Sequence, residues 1–329
     1  GFISREYNSI GEPIWDHNHP IAFAPPLLTW AELSLFEQTS DVSRLKKVFP
    51  YLKAHHDFCT QQYQASDGLF IGDALGSGMD NLKRYPKNWD FDNGGIELKP
   101  EWVHSLYRPH IDKLGPSHQF RWNSQGRWID LSCQMALDAK CLTEVAKLID
   151  LKEEIRYYKN KYHCLADTIN ELCWSEDHQF YFDLGYGEKI NRYHIGSYWA
   201  LLAGIVPEPK QEGFISHLSN AKKFKTQVPV PCLAVDDPDF SSDGKYWRGS
   251  SWHPTTYMVI KGLEENGFNE KAKEISLKTV AANFKLFKKT KTFWENLSPT
   301  KSEPGNPSQP DFCGWAGLSS VAIPREFLN

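Results

Sequence analysis

The sequence has little of what marks several large classes of protein. Among its 329 residues no run of about 18 apolar residues occurs, so neither a membrane span nor a signal peptide is predicted. The net charge is −4, and no basic patch interleaved with aromatic residues is found, which argues against nucleic acid as a partner. The seven cysteines form no Cys-x-x-Cys pair, so neither a zinc site nor a disulfide framework is indicated.

Aromatic residues are abundant by contrast. The chain contains 12 Trp, 14 Tyr and 19 Phe, and its hydrophobic fraction of 40% is that of a folded protein. Two explanations fit so many rings. They form either a large core or a concave surface on which a sugar ring can stack.

Helical periodicity covers most of the chain outside three long loops. The predicted helices span residues 27–39 and 42–58, 129–149 and 152–174, 195–205 and 211–221, 252–265 and 269–290, and 314–323, with a short strand at 180–182. Loops at 64–125, 228–244 and 295–312 recur on the same side of successive helix pairs. The predicted class is therefore all-α, a toroid of helix pairs with one functional rim, and no fixed repeat period indicates a solenoid.

Asp80 lies in the first of these loops and is the first candidate catalytic residue. Gly76 and Gly78 precede it and Pro86 follows, which predicts a shaped loop rather than a helix. An acid among aromatic and polar residues can protonate a glycosidic oxygen. The alternative is a solvated Asp in a surface turn.

Glu295 is the second candidate acid. It follows Phe293-Trp294 at the end of the penultimate predicted helix, where a negative charge is electrostatically disfavoured, and that misfit favours a functional role. The alternative is an ordinary polar residue at a helix end. Glu303, on the same loop, is a rival for the same function.

Further candidates for substrate contacts are aromatic, basic and polar side chains in the loops. Indoles stack on sugar rings, and an Arg beside indoles can hold hydroxyls or orient a carboxylate. The predicted substrate-binding residues are Trp15, Asp16, His19, Asn81, Arg84, Trp89, Trp122, Trp247, Arg248, Trp252 and Trp315. Alternatively, the segment around Asp16 is a polar loop with Asx turns, and Arg248 stacks on Trp at the surface. No cofactor is expected, and a calcium ion held by the loop from Asp16 to Asn18 would be structural.

Four motifs resemble those of glycoside hydrolase family 63, a relative of the family 37 trehalases. They stand in family order and span most of the chain: Ser77-Gly78-Met79-Asp80-Asn81, Tyr246-Trp247-Arg248-Gly249-Ser250-Ser251-Trp252, Trp294-Glu295-Asn296, and Phe312-Cys313-Gly314-Trp315-Ala316-Gly317-Leu318. Each motif alone is weak evidence for the family, whereas the set of four in this order is fairly specific for it. The trehalase Gln-Trp-Asp signature is missing, which favours family 63.

This resemblance implies one (α/α)6-barrel catalytic domain over residues 1–329. It implies an inverting hydrolase that cleaves α-linked glucosides or related α-glycosides, with Asp80 as general acid and Glu295 as general base. Inversion needs the two carboxyls roughly 6.5–9.5 Å apart. Apolar neighbours such as Met79 would keep Asp80 protonated, and Asn296 or a nearby Arg would keep Glu295 ionised. Lys83 and Tyr85 depart from the family pattern, as do the missing upstream β domain and the missing early aromatic-acid motif.

Other functions stay open. A trehalase-type hydrolase is one, and a carbohydrate-binding or inactive homologue, with the aromatics but without two correctly spaced acids, is another. A phosphorylase or polysaccharide lyase would need a phosphate site or a Tyr/His pair in place of Glu295. The expected partner is an oligosaccharide or glycoside substrate.

The chain is also expected to be an incomplete barrel. The count of about nine predicted helices falls short of the six pairs that an (α/α)6 toroid needs. The missing helices should precede residue 1, and a preceding segment, a second chain or a symmetry-related copy should cover the exposed apolar seam. A lone sequon, Asn296-Leu297-Ser298, favours a secreted or periplasmic location.

Overall fold

Helices dominate the computed structural model, which describes residues 1–4, 7–13, 24–72, 77–84 and 126–328. Within these residues it contains nine α-helices and seven β-strands of two residues each. The chain divides into two compact units. The first comprises Gly1–Asp80, Tyr85–Trp174 and Asp183–Ile190, and the second comprises Asn81–Arg84, Ser175–Phe182 and Asn191–Asn329.

Four helices form the first unit. They are α1 (Leu28–Thr39), α2 (Val42–Tyr63), α3 (Ile129–Leu148) and α4 (Lys152–Leu172). Strands β1 (Gly126–Arg127), β4 (Leu184–Gly185) and β5 (Glu188–Lys189) form an antiparallel sheet in the order β1-β4-β5. Strand β2 (Trp174–Ser175) lies at the boundary between the units.

The core of the first unit surrounds α3. This helix contacts α1, α2 and α4, and most of its residues are buried, as expected for a helix with packing partners on several sides. Leu142 and Val145 of α3 pack with Leu45 and Phe49 of α2 and Tyr158 of α4. The aliphatic and aromatic side chains that predicted these helices therefore form one shared core.

A polar cluster lies inside this apolar core. Asp138 of α3 accepts a hydrogen bond from Thr29 Oγ1 of α1 at 2.5 Å, and its other carboxylate oxygen lies 2.8 Å from His56 Nδ1 of α2. All three side chains are buried. The cluster thus links three helices through one carboxylate.

The second unit combines short helices with longer loops. Its regular elements are β3 (Phe180–Tyr181), α5 (Trp199–Leu202), α6 (Glu208–Ser216), β6 (Ser251–Trp252), α7 (His253–Glu265), α8 (Asn269–Thr290), β7 (Asn296–Leu297) and α9 (Ile323–Phe327). Helix α7 packs against α5 and α8. A Cβ on Gly262 would lie 3.0 Å from the backbone N of Leu202, so the glycine permits α5 and α7 to approach closely.

Many of the aromatic residues belong to the core of this unit. Phe180, Tyr198 and Phe214 are buried, and their ring centroids lie 4.6 to 6.0 Å apart. Tyr193 and Phe224 join the same cluster. The core explanation therefore applies to these rings, while the sugar-stacking explanation stays a prediction for the rings near the candidate site described below.

The helix predictions agree with the structure where the apolar pattern is long. Helices α1, α3, α4, α7 and α8 match their predicted segments to within two residues at each end, and α2 continues five residues beyond its predicted end. Three shorter segments differ. Residues 195–198 form a 3₁₀ turn that precedes α5. Helix α6 begins three residues earlier than predicted and ends at Ser216. The last helix continues to Phe327 through a π-helical turn at Leu318–Ala322.

None of the described helices is both long enough and apolar enough to cross a membrane.

All seven cysteines are free, and five of them are buried. Asn296, the acceptor residue of the sequon, is also buried.

Candidate active site

Glu295 lies in a short segment between α8 and β7 that is fixed on both sides by backbone hydrogen bonds. Its own N–H donates to the carbonyl of Gln309 at 2.9 Å. The next two residues form β7, in which Asn296 pairs with Trp252 and Leu297 with Ser251 of β6. The side chain is only 7% exposed, so the chain holds this carboxyl in a defined, largely dehydrated position.

The Tyr246 hydroxyl donates a hydrogen bond to Glu295 Oε1 at 3.2 Å. Burial raises the pKa of Glu295 above its ordinary value, while this hydroxyl and the Gln309 backbone act to lower it. A carboxylate with a raised pKa is a stronger base than a solvated one and can take a proton from water.

Tyr246 owes its position to an unusual backbone. Gly244, Lys245 and Tyr246 have φ angles of 102°, 36° and 64°, and the 3₁₀ turn Tyr246–Arg248 follows. The side chain of Asn81 contacts this segment twice, by donating to the Lys245 carbonyl at 3.1 Å and by accepting from the Trp247 N–H at 2.8 Å. Non-glycine residues rarely adopt positive φ, so this turn is held by its contacts rather than by its own preference.

Three indoles adjoin the same segment. Trp247 and Trp252 stack with ring centroids 3.8 Å apart and planes 5° from parallel, and the Trp315 ring lies 6.0 Å from Trp252. Trp315 is 38% exposed, whereas Trp252 is 1% exposed. Trp315 Nε1 also donates to the Glu295 carbonyl at 3.1 Å. A partly exposed indole thus lies beside the Glu295 segment, and the buried Trp252 contacts both other indoles.

His253, at the start of α7, holds the other side of the Glu295 segment. Its Nε2 lies 2.9 Å from the carbonyl of Trp294, and its Nδ1 lies 2.7 Å from Ser319 Oγ. A carbonyl only accepts hydrogen bonds, so Nε2 carries the proton and Nδ1 accepts from the serine hydroxyl. Burial lowers the pKa of His253 to about 4, which keeps the ring neutral.

Tyr246 and His253 are not in the predicted set of site residues. Tyr246 is the first residue of the motif that ends at Trp252, but the sequence predicted no contact between Tyr246 and Glu295. His253 directly follows Trp252, which the sequence predicts as a site residue. Sequence reasoning expected Asn296 or an arginine to hold the charge of Glu295, whereas the side-chain donor is Tyr246, and Asn296 Nδ2 donates to the Pro307 carbonyl instead.

The two candidates for the base differ in their surroundings. The Glu303 side chain is 47% exposed and lies 3.4 Å from Lys289 Nζ. Glu295 is the buried one, and it adjoins the indoles. This contrast favours Glu295, although its role as the base stays a prediction.

Asp80 lies at the end of the first unit, directly before Asn81 of the second. It is half-buried, follows Gly78 with its φ of 75°, and its neighbour Met79 is buried as expected. Arg84 and Arg248 are both buried, and Arg248 Nε donates to the Asn81 carbonyl at 3.4 Å. The pairing of Asp80 with Glu295 as acid and base remains a prediction.

Five predicted substrate-binding residues, Trp15, Asp16, His19, Trp89 and Trp122, lie outside the described residues. The same holds for the calcium loop proposed at residues 16–18. Within the part of the chain that the structure describes, no group of three or more His, Cys, Asp or Glu side chains is arranged to hold a metal ion.

The fold has clear relatives among solved glycoside hydrolases. It is similar to the crystal structure of the GH63 mannosylglycerate hydrolase from Thermus thermophilus in complex with glucose, with a TM-score of 0.70 and 19% identity. The match covers 97% of this chain and 77% of that chain. The predicted fold class, an all-α (α/α)6 toroid, is confirmed by this likeness.

The family is shown by the sequence itself. The model of the mannosylglycerate hydrolase MGH1-like glycoside hydrolase domain matches residues 12–317, and the chain belongs to this family. The predicted resemblance to glycoside hydrolase family 63 is thereby confirmed.

Two curated relatives illustrate the range of the family. An uncharacterized protein from Borreliella burgdorferi is 27% identical over 284 residues, 85% of this chain and 52% of its own length. A probable mannosyl-oligosaccharide glucosidase from Schizosaccharomyces pombe is 23% identical over 207 residues, 58% of this chain and 25% of its own. The chain thus spans about half the length of the first relative and a quarter of the second.

Proposed function

We propose that the chain is an inverting glycoside hydrolase that cleaves short α-glycosides of glucose or mannose. The observation that carries the proposal is the Glu295 carboxyl, buried, of raised pKa, and in a segment that adjoins the exposed indole of Trp315. Such a group suits a general base beside a sugar-binding surface. The names of the relatives, a mannosylglycerate hydrolase and a glucosidase, support the choice of sugars.

In the proposed reaction Glu295 takes a proton from a water molecule, whose oxygen attacks the anomeric carbon. Asp80 gives its proton to the glycosidic oxygen as the bond to the leaving group breaks. Tyr246 donates to one oxygen of Glu295, which leaves the other oxygen to accept the proton of the water. Trp315 supplies an apolar face for the sugar ring, and the buried Trp252 supports it.

The test is a panel of α-linked glycosides followed by proton NMR. The panel contains α-mannosylglycerate, α-glucosylglycerate, trehalose and the glucose disaccharides of each α linkage. We expect one compound to be hydrolysed with the β-anomer appearing first, before mutarotation. First release of the α-anomer would contradict inversion. If no compound is cleaved while one of them binds, the carbohydrate-binding alternative is correct.

A further inference from the structure

The backbone around Tyr246 is strained and must be held by its surroundings. Gly244, Lys245 and Tyr246 have positive φ in succession. Glycine adopts this region without penalty, but a lysine and a bulky tyrosine do not. Gly244 has a φ of 102°, which residues with a side chain rarely adopt, and a Cβ there would also lie 2.1 Å from Ser250 Oγ, so glycine is strongly favoured. Strain of this kind persists where contacts over-determine the conformation, often at functional sites.

Asn81 supplies two of these contacts with a single side chain. Its amide nitrogen donates to the Lys245 carbonyl at 3.1 Å, and its amide oxygen accepts from the Trp247 N–H at 2.8 Å. These two backbone groups belong to the two peptide groups that flank Tyr246. One carboxamide therefore binds the chain on both sides of the strained residue, although it lies 164 and 166 residues from its two partners in sequence.

The held conformation places the Tyr246 side chain. Its ring packs edge-on against Trp252, with centroids 4.8 Å apart and planes at 83°, and its hydroxyl donates to Glu295 Oε1. Relaxation of the turn to negative φ would redirect this side chain. The hydrogen bond to Glu295 therefore depends on a backbone conformation that the contacts of Asn81 favour.

We propose that Asn81 is a positioning residue that holds the strained Tyr246 turn and so keeps the tyrosine hydroxyl on Glu295. Its amide is engaged with the backbone in the structure, and the substrate contact predicted from sequence stays a prediction. Binding both the Lys245 carbonyl and the Trp247 N–H requires a hydrogen-bond donor and an acceptor in one short side chain. Asparagine has both, whereas an ionised aspartate lacks the donor and alanine lacks both. The inference rests on the proposed function only for the role of Glu295 as the base.

The proposal is tested by the titration of Glu295, which needs no substrate. Protein labelled with ¹³C at the glutamate carboxyl is titrated by NMR, and the Glu295 signal is assigned by its loss in Glu295→Gln. Within the described residues Tyr246 is the titratable side chain that hydrogen-bonds Glu295. Burial and the Gln309 backbone are the other influences on its pKa. Because the titration needs no substrate, its result can be interpreted even if the proposed function is wrong.

The central comparison is a double-mutant cycle of Asn81→Ala and Tyr246→Phe. Loss of the hydroxyl should raise the Glu295 pKa by about one unit, because a hydrogen bond to the charged form is removed. Asn81→Ala should raise it by a similar amount, and the double variant no further than Tyr246→Phe alone. An unchanged pKa in Asn81→Ala, or shifts that add, would overturn the proposal.

A second-site change tests the strain itself. Lys245 is exposed, so Lys245→Gly removes little except the penalty of positive φ. In the Asn81→Ala background it should restore at least half of the pKa shift. The matched control is Lys291→Gly, at another exposed lysine with φ of 63°. Equal restoration by both glycines would mean general stabilisation and would refute the role of Asn81. If Asn81→Ala does not fold, Asn81→Ser replaces it, since its shorter side chain cannot reach both peptide groups.

Discussion

Asp138 in the first unit and Glu295 in the second are both buried carboxylates, but their hydrogen-bond partners differ. Asp138 is 3% exposed, and both of its oxygens are bound by side chains from other helices, at 2.5 and 2.8 Å. Glu295 is almost as deeply buried, but among the described residues its side-chain donor is the Tyr246 hydroxyl at 3.2 Å. The first carboxylate is paired with a histidine, and the described part of the chain places no histidine on the second.

The difference is the one expected between a carboxylate with a structural role and one with the proposed chemical role. A buried carboxylate with good partners links the elements that provide them, and its loss leaves those partners unsatisfied. A buried carboxylate with one long side-chain hydrogen bond and a backbone contribution from Gln309 keeps much of its desolvation cost, and the raised pKa of Glu295 expresses that cost. The second arrangement is typical of catalytic groups, which enzymes maintain at the expense of stability.

The largest expected effect is on turnover. Glu295→Gln and Asp80→Asn keep the shape of each side chain and remove its acid–base function, so each should lower kcat by about 10²–10⁴-fold. The measurement is steady-state hydrolysis of the natural glycoside identified by the panel. Glu303→Gln is the matched control and should retain near-wild-type kcat. A variant of Glu295 as active as the control would end its assignment as the base.

Removal of the structural carboxylate should act on stability instead. Asp138→Ala leaves Thr29 and His56 without their buried partner, and it should lower the free energy of unfolding by about 3–5 kcal/mol. Urea denaturation measures this change. Glu144→Ala, at an exposed position on the same helix, should stay within about 0.5 kcal/mol of the wild type. A small loss for Asp138 would break the contrast between the two sites.

The neutral His253 should make the protein sensitive to acid. Its folded-state pKa of about 4 lies below the ordinary value of 6.5, so the unfolded chain binds the proton first and stability falls as pH drops through this window. Between about pH 7 and pH 5 the expected loss is about 2 kcal/mol. His253→Gln should flatten this slope, while His163→Gln, at an exposed histidine, should not. Equal slopes in both variants would contradict the burial of a neutral ring.

The smallest expected effect is a gain in the free energy of unfolding. Because the folded-state pKa of Glu295 is raised, its ionisation costs stability above that pKa, and the cost is absent below the unfolded-state value. Glu295→Gln should therefore raise the free energy of unfolding at neutral pH, and the gain should vanish in acid. Asp138→Asn is the matched comparison and should destabilise. A Glu295→Gln protein less stable than the wild type would show that Glu295 is also structural.

Sequence reasoning recovered what depends on local pattern. Helices α3 and α8 have long apolar periodicity, and their bounds were predicted almost to the residue. Segments with weaker patterns differ, such as α6, where Pro209 in its first turn favours an earlier start than the apolar pattern shows. Glu295 was predicted as a candidate from its position after the penultimate predicted helix and from the motif that contains it.

The contacts that define the site were not predictable in the same way. Asn81 and Trp247 are joined by a hydrogen bond across 166 residues, and nothing in a lysine or tyrosine signals a positive φ. The carbonyl that His253 binds lies 41 residues further along the chain. Such pairings are set by tertiary packing, which local propensity does not encode.

The burial of Asn296 bears on how the protein can be produced. Its Nδ2, the atom to which a glycan would be attached, donates to the Pro307 carbonyl at 3.2 Å inside strand β7. In a eukaryotic secretory host the sequon meets the glycosylation machinery before the chain folds, and a modified chain has no room for the sugar. The yield of folded protein in such a host would depend on whether the chain folds before Asn296 is modified. Ser298→Ala removes the sequon, and it gives up the hydrogen bond from Ser298 Oγ to the Ser242 carbonyl.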